Sequence, residues 1–189
     1  MKVFELTLDD LNLQGIFKIS LVESPAMESN YITLNKQVVL AKTDKEKKML
    51  IGAAMIPNKQ ILRIDDETQE EYMIFFAPET IEAAAHEYIK AARHGQVNVE
   101  HSVDVGGVYT VESWIVVNPE KDKSAALGFD VPVGTWMIAM KVANDQVWDD
   151  LIKTELVKGF SIEGFFTPNE DAEELAILAQ VRELLSNLK

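Results

Sequence analysis

The chain has 189 residues, 47% of them apolar, enough for one domain with a substantial core and too apolar for general disorder. Its 18 basic and 31 acidic residues leave a net charge of −13, which argues against a nucleic-acid surface and against anionic membranes. It has no cysteine, so disulfides, thiolate catalysis and cysteine-type zinc sites are excluded.

The opening residues, Met1 to Leu6, lack the apolar core of a signal peptide. No apolar run approaches the roughly 20 residues that span a bilayer. The expectation is a soluble protein made in a cytoplasm. Ile16 to Val22 reads as a strand stopped by Ser24-Pro25. Met49 to Ile56 is a second strand, ended by Pro57-Asn58, and Tyr72 to Phe76 is a third, closed by Pro78. Pro78 to Arg93 carries Ile81, Ala84, Ala85, Tyr88, Ile89 and Ala92 at helical spacing, with Gly95 as its stop.

Val97 to Val105 and Val108 to Val117 flank Gly106-Gly107, a two-residue hairpin signal. Gly134 to Val142 is a further strand. Asp145 to Leu156 reads as a short helix capped by Asn144 or Asp145, with Trp148, Leu151 and Ile152 on one face. Trp114 and Trp136 read as core residues. Gly159 to Thr167 is the last strand, and its flanking glycines allow another chain to come close.

From Pro168 onward, Leu178, Val181, Leu185 and Leu188 recur at intervals of three and four. This predicts a C-terminal amphipathic helix over 168–189, beyond a domain over 1–167. The helix packs on its own domain or serves as a docking or oligomerisation arm. Many short strands with few helices predict a mainly β, α+β fold with peripheral helices. No glycine-rich phosphate loop is present.

Two polar islands stand out. One is Ser161, alone among Phe160, Ile162 and Phe165-Phe166; the other is Asn98-Val99-Glu100-His101-Ser102. A serine and a histidine on separate strands are the minimum parts of a serine hydrolase. With Gly106-Gly107 as the turn, His101 falls opposite Glu112, where cross-strand Cβ atoms are about 5 Å apart. Such a carboxylate would orient an imidazole base. The bland alternatives are a packed serine and a surface His–Glu pair of small energy. No metal site is expected: His86 and His94 sit on the separate helix, and no HExxH spacing exists. No cofactor is expected. The G-x-S-x-G motif of α/β-hydrolases is also missing.

Six segments, in order, resemble the XkdF-like family of phage serine proteases, relatives of prohead proteases. They are residues 19–26 (ISLVESPA), 52–57 (GAAMIP), 99–102 (VEHS), 111–114 (VESW), 132–136 (PVGTW) and 159–164 (GFSIEG). The resemblance implies an assemblin-like, mostly antiparallel β-barrel ringed by helices, often dimeric. It implies an endopeptidase that cuts phage scaffold and major capsid proteins inside the immature head, within the host cytoplasm. A non-catalytic capsid-assembly or scaffold-binding module on the same fold is the alternative. His101 matches the family's histidine and Ser161 its nucleophile. Herpesvirus relatives add a second histidine after the serine, but no histidine follows Ser161 here. A carboxylate then takes the third place: Glu112 is the choice by the hairpin geometry, and Glu163, which shares a strand face with Ser161, is the alternative. The arginines that follow the nucleophile strand in those relatives are also missing; Arg182 is the only later one. The oxyanion donors are then expected among backbone N–H groups.

Overall fold

The computed structural model describes residues 2–10, 13–27, 32–34, 47–65 and 67–169. The elements run in chain order as β1 (Lys2–Thr7), β2 (Gly15–Val22), β3 (Ile32–Leu34), β4 (Met49–Met55), β5 (Ile61–Ile64) and β6 (Glu71–Phe75). Helix α1 (Pro78–Lys90) leads to β7 (Val97–Val99), β8 (Val103–Asp104) and β9 (Val108–Ile115). Then come α2 (Lys123–Ala126), β10 (Trp136–Val142), α3 (Asp145–Val147), β11 (Gly159–Phe165) and β12 (Thr167–Asn169).

The fold is mainly β, as the strand-rich pattern predicts. The strands form three four-stranded sheets, ordered β12-β1-β6-β5, β3-β4-β10-β9 and β11-β2-β7-β8. Among the described residues, only β1–β6 and β2–β7 pair in parallel. The ladders do not close the three sheets into a barrel.

Helix α1 makes the parallel β2–β7 pairing possible, because it crosses back over β2 before releasing β7. Its buried stripe is Ile81, Ala84, Ala85 and Tyr88; Ile89, expected on that stripe, is exposed. Tyr88 stacks edge-on against Trp136, ring centroids 5.4 Å apart, and its hydroxyl meets Thr110 Oγ1 at 3.0 Å. Burial of each such ring is worth about 1.5–3 kcal/mol, and the hydrogen bond removes the cost of hiding the phenol. The helix ends at Lys90, before the expected stop at Gly95, and Ala92 takes a left-handed φ of 54°. Arg93 then donates to the Ile16 carbonyl at 2.8 Å and covers the Phe17 ring, fixing the helix end to β2.

Four further expectations need correction. The Asp145–Leu156 helix is short: after α3 the chain continues as one π-helical turn, Trp148–Ile152. Asn144 is its cap, accepting from the Val147 N–H at 3.2 Å, and Trp148 is buried as expected. Trp114 is half-buried, its indole N–H on Ser124 Oγ at 3.1 Å and its face under the Lys123 ammonium. The helix expected from Pro168 does not begin there: Thr167–Asn169 pairs antiparallel with β1, so the boundary between 167 and 168 falls inside a strand. The rest of that helix lies outside the described residues.

The fourth correction is the hairpin. The chain turns at residues 100–102, not at the two glycines. The Ser102 N–H bonds the Val99 carbonyl at 3.1 Å, and β8 folds back on β7 with Val99 opposite Val103. Gly106-Gly107 instead passes the chain to another sheet, where β9 pairs with β10.

Candidate active site

The site is built on one row of paired residues across the sheet β11-β2-β7-β8. Ser161 of β11 is opposite Ser20 of β2, and Ser20 is opposite Asn98 of β7. Paired residues share a sheet face, so three polar side chains lie side by side. The opposite face carries Phe160, Ile19, Leu21 and Val97, all buried in the core. Glu163 stands two residues beyond Ser161 on the same strand and so on the same face. Its cross-strand partner is Lys18, whose ammonium reaches across to Asp104 of β8.

His101 comes to this row from the turn. Glu100 and His101 hold left-handed φ values of 50° and 53°, which are costly for residues with a Cβ. The turn is clamped in place: the Glu100 N–H donates to the Leu21 carbonyl at 3.1 Å, and the Glu100 carboxylate accepts from the Glu23 N–H at 2.6 Å. Both contacts fix the turn over β2. The imidazole then lies across the polar row.

His101 Nε2 is 3.0 Å from Ser161 Oγ. On the other side of the ring, Nδ1 is 3.0 Å from Glu163 Oε1 and 2.9 Å from Ser20 Oγ. Asn98 donates its amide to the same Glu163 oxygen, and Ser20 Oγ lies 3.0 Å from it. With Nδ1 protonated and directed at Glu163, Nε2 presents its lone pair to Ser161. That is the tautomer a general base requires. Ser20 has a single proton and lies 2.5 Å from Asn98 Oδ1. A Ser20 hydroxyl donating to Asn98 leaves its own lone pairs for the imidazole N–H.

Glu163 remains ionised here. Partial burial pushes its pKa up, but the polar contacts with Asn98, His101 and Ser20, with the positive charge of a protonated His101, more than offset this. The net pKa lies below the ordinary carboxylate value. A carboxylate in this state balances the imidazolium that forms when His101 takes a proton.

The structure therefore brings together Ser161, His101 and Glu163, and separates them from Glu112. Glu112 lies on β9 opposite Ala139 of another sheet, and its carboxylate pairs with Lys123 of α2. The expected His101–Glu112 pairing fails because the Gly-Gly turn on which it relied is not a hairpin. Arg182 lies outside the described residues.

Sequence reasoning missed Ser20 and Asn98 as members of the site. Both are almost wholly buried, at 0% and 2% exposure, and each is a short polar residue among apolar strand neighbours. Such residues in a strand core need partners, and that cost was the available signal.

Ser161 is among the residues that line a groove of about 860 Å³, whereas His101 and Glu163 do not line it. Consecutive Ser161 and Ile162 both line it, although their side chains face opposite ways. The groove therefore follows the edge of β11, whose only strand partner among the described residues is β2. At Gly164 the strands come so close that an added Cβ would sit 2.5 Å from the Gly15 carbonyl oxygen.

Comparisons with curated proteins and with solved structures return no match. A family model does match, over residues 36–170, under the description "Putative phage serine protease XkdF". The matched span includes His101, Ser161 and Glu163 but not Ser20. It covers more than half of the 189 residues, and the chain belongs to that family.

Proposed function

We propose that the protein is a serine endopeptidase working through an acyl-enzyme, with Ser161 as nucleophile, His101 as base and Glu163 as the orienting carboxylate. The observation that supports this most is one imidazole between an alcohol and a carboxylate, at 3.0 Å to each. As Ser161 Oγ bonds to the scissile carbonyl carbon, its proton passes to His101 Nε2. The C–N bond then breaks, and His101 returns that proton to the leaving amine. Water, deprotonated by His101 in turn, attacks the ester and releases Ser161. Glu163 holds the ring and offsets its charge at each transfer.

The substrate in this reading is an extended peptide lying against the open edge of β11, its main chain adding to the sheet. Family membership points to the scaffold and major capsid proteins of a phage head as targets. The place of action would be the immature capsid in the host cytoplasm, and a homodimer would be the working form. The assemblin-like barrel belongs to the same reading.

Co-expression with the scaffold and capsid proteins tests this. Wild type should process them, whereas folded Ser161→Ala and His101→Ala should lose at least about a thousandfold in rate. Unchanged processing in both variants would overturn the proposal and leave a non-catalytic assembly module.

A further inference from the structure

The wall of the groove facing β11 is one face of the sheet β12-β1-β6-β5. Its register sets the side chains in rows. Phe4 is opposite Ile74, and Ile74 is opposite Ile61. The next row holds Lys2, Tyr72 and Arg63. All six line the groove, so the wall grades from an apolar band to a band with two cations. Ile61 and Ile74 are nearly buried, while Phe4 and Tyr72 are half-buried and meet edge to face at 5.8 Å. Phe76 and Phe166 stack at 4.8 Å and extend the apolar surface beside Gly164.

Residues of β11, Ser161 among them, thus border one side of the groove and an ordered apolar surface the other. An extended chain on the edge of β11 projects alternate side chains to opposite sides. Side chains on one side meet the Phe4, Ile74 and Ile61 row. Resting on the peptidase reading above, we infer that this row selects substrates carrying a large apolar side chain close to the scissile bond. A small or charged side chain there would leave the row wet or bury an unpaired charge, and both are unfavourable. Ala26 lies on the same groove and is half-buried, and the small size of its side chain leaves the groove open.

The test separates recognition from chemistry. Full-length Ser161→Ala protein is incubated with short random peptides, and the bound fraction is sequenced. Large apolar residues should be enriched about tenfold at one position. Ala26→Phe in the same background, which narrows the groove, should shift that preference to Ala, Ser and Gly. Ala26→Val carries the test if the phenylalanine variant does not fold, with a smaller shift in the same direction. Enrichment without apolar bias, or a preference unchanged in a folded Ala26 variant, would overturn the inference. Apolar-selective binding together with a wild type that cleaves nothing would keep the apolar row as a peptide-binding surface, overturn its role at a scissile bond and remove the peptidase reading.

Discussion

Two glutamates, Glu112 as the sequence's first choice beside His101 and Glu163 as its alternative, end in different surroundings. Glu112, on β9, has an exposed ammonium for a partner, Lys123. Glu163, on β11, accepts from an imidazole and from the amide of buried Asn98, with the buried Ser20 hydroxyl 3.0 Å away. The first is a surface ion pair, a class worth about 0–1 kcal/mol. The second fixes the direction of a proton. The difference comes from two turns. Glu100-His101 makes the tight turn despite two left-handed φ values, and Gly106-Gly107, with Gly107 at φ 76°, spans two sheets. Composition alone favours the glycines, whereas tertiary clamping through Glu100 favours the other turn.

The contrast is sharpest in turnover. Glu163→Gln should lower kcat by about 10²- to 10⁴-fold, because an amide can hold the wrong imidazole tautomer. Glu112→Gln should leave kcat within about twofold. Equal losses would erase the distinction between the two carboxylates. Gly164→Ala should come next, as a stability effect. Its Cβ has no space against the Gly15 carbonyl, so destabilisation of about 1–3 kcal/mol is expected in thermal melts. A neutral result would show that β11 and β2 can separate there without penalty.

Ser20→Ala should act more gently, lowering kcat about three- to tenfold with little change in KM, the worth of one hydrogen bond. Restored turnover in Ser20→Thr would identify the hydroxyl as the positioning group. The smallest effect concerns pH. Because the folded pKa of Glu163 is depressed, its stabilising contribution is complete above the ordinary value of 4.5 and is lost as pH falls through the lowered folded value. The stability gap between wild type and Glu163→Gln should therefore shrink in acid. The corresponding gap for Glu112→Gln serves as the comparison.

Much of the scaffold was legible from residue pattern. The strands at Ile16, Met49, Tyr72, Val108, Trp136 and Gly159 and the helix from Pro78 all form near their expected bounds. Each has an apolar run bounded by Pro or Gly, which local physics can read. Strands β1 and β5 were missed: both mix apolar and charged residues, and β1 owes its pairing to β6, far along the chain. Ser161 and His101 were visible as polar islands. Glu163 was visible only as an alternative, through its two-residue spacing from Ser161. The meeting of Ser20 with Asn98 was not visible, since it depends on the parallel register of β2 with β7, set across a separation no local pattern spans.

The central claim is that His101 activates Ser161, and labelling kinetics test it most directly. A fluorophosphonate should form a single adduct, mapped to Ser161 by mass spectrometry of peptides. In folded His101→Ala the same adduct should form at least about a hundredfold more slowly. An adduct on another residue, or equal labelling rates in the two proteins, would contradict the account.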